Sequence, residues 1–116
     1  MRVGIDTVEI ARVEKSLMIP GFKERVFSAE EIEMLDKKGN PTQSYAANFA
    51  AKEAFSKAIG TGISGFSLKE VSVLRDSLGA PYIVLCGRAE ELAKEQSFTV
   101  SLTHTRKDAT AIVIAY

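Results

Sequence analysis

No tryptophan, one histidine, one cysteine and three prolines occur in the 116-residue chain, and its fifteen basic residues are cancelled by fifteen acidic ones. A single cysteine rules out an internal disulfide and any zinc site built from several thiolates. Cys86 closes the apolar run Tyr82-Ile-Val-Leu-Cys86, where the expectation is a small buried residue. Zero net charge removes the global positive field of a general nucleic-acid binder, so a charged partner must meet a local patch. No run approaches the roughly 18 apolar residues of a membrane span, and the first residues lack the basic start, apolar centre and cleavage site of a secretory signal. No nucleic acid, no membrane and a cytoplasmic location are therefore expected. Internal repeats, linkers and low-complexity tracts are also missing, which points to one compact domain over 1–116.

What is present is 46% hydrophobic and 26% charged, the composition of a folded soluble domain rather than a disordered chain. A chain of this size buries only ~65% of its unfolded surface, so association with copies of itself would enlarge the core. Residues 2–9 read as a strand, and Ala11 to Leu17 as a helix stopped by Pro20-Gly21. Ser28-Ala-Glu-Glu31 is a capping box that opens a helix to about Lys38, closed by Gly39-Asn-Pro41. Thr42 to Ile59 gives the longest helix, with Gly60 as its stop. The period then changes. Val71, Val73 and Tyr82 to Leu85 read as two strands joined through Asp76-Ser-Leu-Gly79; Arg88 to Gln96 fits a short helix, and Phe98 to Thr103 with Ala109 to Ala115 a second hairpin turning at Arg106-Lys-Asp108. The fold class is α+β, an antiparallel-rich sheet packed on one long helix.

Chemistry concentrates on that helix. Glu53 and Lys57 lie one turn apart on one face, on a strip shared with Ala46 and Ala50, whose small side chains allow close approach. Tyr45, Phe49, Phe55 and Ile59 form the neighbouring apolar stripe. Asp6 lies in Val3-Gly-Ile-Asp-Thr-Val8, where an acid is disfavoured unless it faces water or has a partner. Alternation sets it with Gly4 and Val8, opposite Val3 and Ile5. Two acids from distant segments beside a lysine suggest a metal and phosphate site, because Mg²⁺ needs only one or two protein carboxylates and completes its octahedron with waters and phosphate oxygens. The plainer reading is a solvated Glu53–Lys57 pair worth ~0.3–0.5 kcal/mol and an Asp6 that caps the strand end. Lys52 falls inside the apolar stripe, where its stem either snorkels or carries an ammonium to a phosphate. His104 follows the core parity of Phe98, Val100 and Leu102 to the end of its strand, where it is either structural or emerges at a cleft rim. Ser101, Thr103 and Thr105, with Arg106 and Lys107, would make an anion cradle around it.

Together, Gly4-Ile-Asp6-x-x-Glu9-Ile-x-Arg12, Arg25-Val-Phe-Ser-x-x-Glu31, Phe49-Ala-Ala-Lys-Glu53-Ala-x-x-Lys57-Ala-x-Gly-Thr-Gly62 and Ser101-Leu-Thr-His104 resemble the holo-acyl-carrier-protein synthase family, the short type of 4′-phosphopantetheinyl transferase, from end to end. The resemblance implies that fold and a reaction: a serine of apo-acyl carrier protein attacks the β-phosphorus of coenzyme A, giving the phosphopantetheinyl protein and adenosine 3′,5′-bisphosphate for fatty acid biosynthesis. By the matching motifs Asp6 and Glu53 would hold Mg²⁺, and these two with Lys57 would be catalytic. Lys57, Gly60, Thr61 and Gly62, and Ser101, Thr103 and His104, would bind coenzyme A, His104 and its hydroxyls taking the 3′-phosphate. It further implies a homotrimer with sites between subunits. The acidic carrier protein would meet the early basic cluster of Arg12, Lys15, Lys23 and Arg25. A rival of another class keeps the fold but only binds an acidic protein or a nucleotide. One departure stands out, since Asn48 replaces the arginine that commonly precedes the Phe-Ala-Ala-Lys-Glu motif and contributes to 3′-phosphate binding. Either coenzyme A is held less tightly, or a cation such as Lys52, Arg106 or Lys107 compensates.

Overall fold

The computed structural model describes residues 1–116. In chain order the elements are β1 (Arg2–Glu9), α1 (Ile10–Leu17), α2 (Phe22–Val26), α3 (Ala29–Asp36), α4 (Pro41–Ile59), a 3-10 turn (Leu68–Glu70), β2 (Val71–Arg75), β3 (Pro81–Leu85), α5 (Gly87–Ala93), β4 (Phe98–His104) and β5 (Asp108–Ala115). All strand pairing is antiparallel, in two sheets ordered β1-β5-β4 and β2-β3 rather than in a single one.

Alternation along β5 sets the layers. Ala109, Ala111, Val113 and Ala115 are buried toward α4, in register with Val8, Asp6, Gly4 and Arg2 of β1. The helix meets them with Ala50, Ala51, Ala54 and Ala58, all without exposed surface. Small side chains on both elements bring the backbones very close. A Cβ added to Gly4 would fall 1.9 Å from the Ala54 carbonyl oxygen, so only glycine fits at that crossing. On the opposite face of β1, Val3 and Ile5 are 59% and 57% exposed, beside half-buried Ile112 and Ile114.

Local signals explain the element ends. Asn40 accepts from the Gln43 N–H and Pro41 takes the first helical position of α4, while Gly60 ends it at φ +83°. In the β2–β3 hairpin, Asp76 Oδ1 accepts from the N–H groups of Leu78 and Ala80, each at 2.9 Å. The β4–β5 turn is held by Thr105, whose Oγ1 accepts from the N–H groups of Lys107 and Asp108. α2 escapes the sequence pattern because five residues are too few to show a helical period. Cys86 is exposed, not buried: it continues the outward alternation of Tyr82 and Val84 along β3.

The capping box at Ser28 and Glu31 is present, with Glu31 Oε1 3.0 Å from the Ser28 N–H. Glu31 is also fully buried, where it accepts from Lys52 Nζ at 2.6 Å, Asn48 Nδ2 at 2.8 Å and the Val73 N–H at 3.1 Å. Lys52 Nζ donates further to the carbonyls of Leu68 and Val71 and lies 5.3 Å from the centre of the Phe27 ring. The lysine therefore neither snorkels nor reaches a phosphate. Burial pushes its pKa down, and the Glu31 charge opposes that shift. With every polar atom of the pair bonded, the interaction ties α3, α4 and β2 together. Glu31→Ala should lower unfolding free energy by about 3–5 kcal/mol, because it strands a buried ammonium. Urea denaturation measures this, and a loss under about 1 kcal/mol would contradict it.

Candidate active site

The close contact between β1 and α4 carries the last turns of the helix across the middle of the strand. Lys57 Nζ lies 3.1 Å from Asp6 Oδ1 and 2.9 Å from the Ile5 carbonyl oxygen. Asp6 is paired with Ala111 inside the ladder rather than capping the strand end, and its side chain is 18% exposed against 53% for Lys57. Lys57 pairs with Asp6, and no ion pair joins it to Glu53. Glu53 is half-buried on the preceding turn. Its carboxyl is pushed above the usual range first by burial, then by the Asp6 charge, with Lys57 opposing.

Two carboxylates thus converge from residues 47 positions apart, and the charged state of one is disfavoured. A hard divalent cation would relieve that cost. No cluster of three histidine, cysteine or acidic side chains exists, so the donor set is two carboxylates, and other positions on a cation would fall to water or phosphate oxygens. That is the usual pattern of Mg²⁺, and the residues fit it. Gly60-Thr61-Gly62 follows one turn after Lys57. Thr61 Oγ1 donates to the Gly62 carbonyl and the Gly62 N–H to the Ser56 carbonyl. This is the carbonyl end of α4, so positive charge there comes from Lys57 and from Arg2, whose guanidinium lies against Gly60.

Ser101, Thr103 and His104 lie elsewhere. They stand on β4, across β5 from β1, and line a cavity of about 300 Å³ with Gln43, Ser44 and Arg75. His104 is exposed at the open end of its strand. Asn48 lies behind this cavity, fully buried. Arg106 and Lys107 are also exposed, but line a different depression beside Glu9 and Glu14. Arg75, like Gln43 and Ser44, is a cavity-lining residue that sequence reasoning missed; its link to Asn48 spans 27 positions and no local spacing signals it. A third depression, of about 290 Å³, lies between α1, α2 and α4 and is lined by Arg12, Val13, Phe22 and Phe49. Arg12, Lys15 and Arg25 are exposed near it, while Lys23 is partly tied to Asp36 at 3.3 Å.

The profile of the 4′-phosphopantetheinyl transferase superfamily matches residues 2–113. Among curated proteins, the holo-acyl-carrier-protein synthase of Fusobacterium nucleatum is 41% identical over 97% of this chain and 95% of its own, and that of Treponema denticola 45% identical over 97% and 94%. Among solved structures, the Helicobacter pylori holo-acyl-carrier-protein synthase in complex with coenzyme A superposes with a TM-score of 0.87 at 34% identity, covering 98% of this chain and 99% of that one. The chain belongs to the 4′-phosphopantetheinyl transferase superfamily, in its holo-acyl-carrier-protein synthase family.

The upward shift of Glu53 predicts a pH dependence of stability. A carboxyl whose pKa is higher folded than unfolded costs stability as pH rises through that interval, and the full cost persists above it. In metal-free buffer Glu53→Gln should therefore melt higher than the parent protein at pH 7, with the advantage vanishing as pH falls below the ordinary carboxylate range. Added Mg²⁺ should raise the melting temperature of the parent more than that of the variant. A Mg²⁺ shift of equal size in both proteins would remove Glu53 from the metal site.

Proposed function

We propose that this protein transfers the 4′-phosphopantetheine group of coenzyme A to a serine of apo-acyl carrier protein, releasing adenosine 3′,5′-bisphosphate, as a step serving fatty acid biosynthesis. The observation that carries this reading is the convergence of Asp6, Glu53 and Lys57 at the β1–α4 crossing. Family membership gives the reaction class, and the Helicobacter pylori relative binds coenzyme A.

In the reaction the serine oxygen bonds to the β-phosphorus, and the bond to the bridging oxygen breaks as the adenosine bisphosphate departs. The serine proton would pass to Glu53 or to a water held between the two carboxylates. Asp6 and Glu53 would hold Mg²⁺, which would supply positive charge to offset the negative charge that develops on the phosphoryl group. Lys57, exposed on the helix and already turned toward Asp6, pairs with the phosphates. Gly60, Thr61 and Gly62, which follow Lys57 along the chain, would bind coenzyme A beside it. Ser101, Thr103 and His104 take the far end of coenzyme A, where the 3′-phosphate lies.

A homotrimer would bring these groups together. Asp6 is on β1, with Glu53 beside it on α4, and the proposed anion-binding residues are on β4, so that the two groups stand toward opposite edges of one sheet with β5 between them. One copy would bring its β4 edge to the β1 edge of the next, and the exposed Val3 and Ile5 are the apolar surface available for that contact. A closed ring of identical copies repeats such a heterologous contact. The acidic carrier protein would approach the exposed Arg12, Lys15 and Arg25, with Lys23 nearby.

Transfer is measured by the mass of apo-acyl carrier protein after incubation with coenzyme A and Mg²⁺. Asp6→Ala and Glu53→Ala should each lower turnover by orders of magnitude without unfolding the protein, since each removes a metal-binding carboxylate and relieves repulsion. Near-normal turnover of either variant at saturating coenzyme A would refute the assignment. Ile5→Arg should shift sedimentation equilibrium from trimer toward monomer and lower activity with it. An active monomer would refute the shared site.

A further inference from the structure

Asn48 has no polar atom left for a ligand. Its Nδ2 donates to Glu31 Oε2 and to the Val73 carbonyl, both at 2.8 Å, and its Oδ1 accepts from Arg75 Nη2, also at 2.8 Å. The amide thus bridges Glu31, the Val73 carbonyl and the Arg75 guanidinium. Arg75 ends β2, half-buried, with Nη1 directed at the carbonyls of Val73 and Leu74. No carboxylate forms an ion pair with it. Burial holds its pKa below the ordinary guanidinium value, with the charge of Glu31 opposing.

The charges around Asn48 do not balance. Glu31 supplies one negative charge, and Lys52 already takes it at 2.6 Å. Arg75 stays positive and partly desolvated; one side of it borders a depression with Glu30 and Glu33, neither of which forms an ion pair with it, and the other faces a cavity whose lining contains no acid but does contain the hydroxyls of Ser44, Ser101 and Thr103 and the ring of His104. A guanidinium beside hydroxyl donors in a concave, acid-free site suits a phosphate monoester, to which arginine can present two parallel donors.

We propose that Arg75, positioned by Asn48, is the cation that binds the 3′-phosphate of coenzyme A in this protein, supplying from the sheet the charge that an arginine at position 48 would supply from the helix. This rests on the coenzyme A reading of the β4 cavity given above. It also reverses the expectations drawn from Asn48 in the sequence: the compensating cation is neither Lys52, which is sealed in the core, nor Arg106 or Lys107, which line a separate depression. An arginine introduced at 48 alone would meet Lys52 and Arg75 and leave Glu31 Oε2 without its amide donor. Asn48→Arg by itself should therefore not tighten coenzyme A binding.

Calorimetry of coenzyme A and dephospho-coenzyme A on the intact protein tests this. The parent should bind coenzyme A at least about tenfold more tightly than the dephospho form. Arg75→Gln should weaken coenzyme A about 10- to 100-fold and leave dephospho-coenzyme A within about twofold, so that the preference collapses. In the transfer assay the same change should raise KM for coenzyme A and spare kcat. Asn48→Ala should reduce the preference in the same sense, a ratio that simple loss of stability does not move. Arg75→Lys, which keeps the charge but not the planar fork, should fall between parent and Arg75→Gln; it carries the test if Arg75→Gln folds poorly. A parent that binds both ligands equally would overturn the reading of the cavity and the proposal with it. A parent that discriminates while Arg75→Gln discriminates equally well, and His104→Ala does not, would overturn the proposal alone. Equal weakening of both ligands by Arg75→Gln would reduce Arg75 to a general electrostatic role and likewise overturn it.

Discussion

The contact of Gly4 with the backbone of α4 is the constraint on which the site depends. A helix packed on a sheet usually stands off by the width of its side chains, yet here a methyl group at position 4 would lie 1.9 Å from a helix carbonyl. The alanines of α4 and of β5 complete that close approach. At this separation Lys57, one turn beyond Glu53, can reach both the carboxylate of Asp6 and the carbonyl of Ile5. A larger residue at position 4 would push the helix outward and draw the three groups apart. The acid in a strand, otherwise unfavourable, is tolerated because the approaching helix carries its cation.

The buried Glu31–Lys52 pair sets the other coordinate of α4. Buried ion pairs contribute little net stability against well-packed apolar residues, but they tolerate few alternative arrangements because a stranded charge is so costly. Here the pair, with Asn48 and the Val73 backbone, fixes the register of α4 against α3 and β2. The same polar cluster ends at Arg75 on the wall of the β4 cavity. One helix therefore serves two places: its last turns face Asp6, and its middle, through Asn48, orients an arginine on the far side.

Sequence periodicity located most elements because their signals are local. The capping box at Ser28, the αL glycine after Ile59, the Asp76 turn and the alternation of β4 and β5 each act within a few residues. The strip of Glu53, Lys57 and small residues was legible too, as was the odd placing of Asp6. What the sequence withheld were long-range pairings between polar residues. Lys57 could be given to Glu53 by spacing alone, yet it pairs with Asp6. Lys52 in an apolar stripe could be read as a ligand-seeking ammonium only while its partner 21 positions earlier was unknown. Glu31 was legible as a cap but not as the counter-charge of the core, and Arg75 gave no local signal at all.

The site proposed here joins two halves that one chain keeps at opposite edges of a sheet, and mixing of variants tests that joining most directly. Asp6→Ala removes the metal half and keeps the β4 cavity; a combined His104→Ala and Arg75→Gln variant does the reverse. Each alone should be nearly inactive at low coenzyme A. After the two are unfolded together and refolded in equal amounts, random threefold rings should restore about a quarter of the parental sites, because about three-quarters of the rings are mixed and each mixed ring carries one intact interface. Transfer activity near that fraction supports sites shared between copies. Activity no higher than the average of the two separate variants would contradict it.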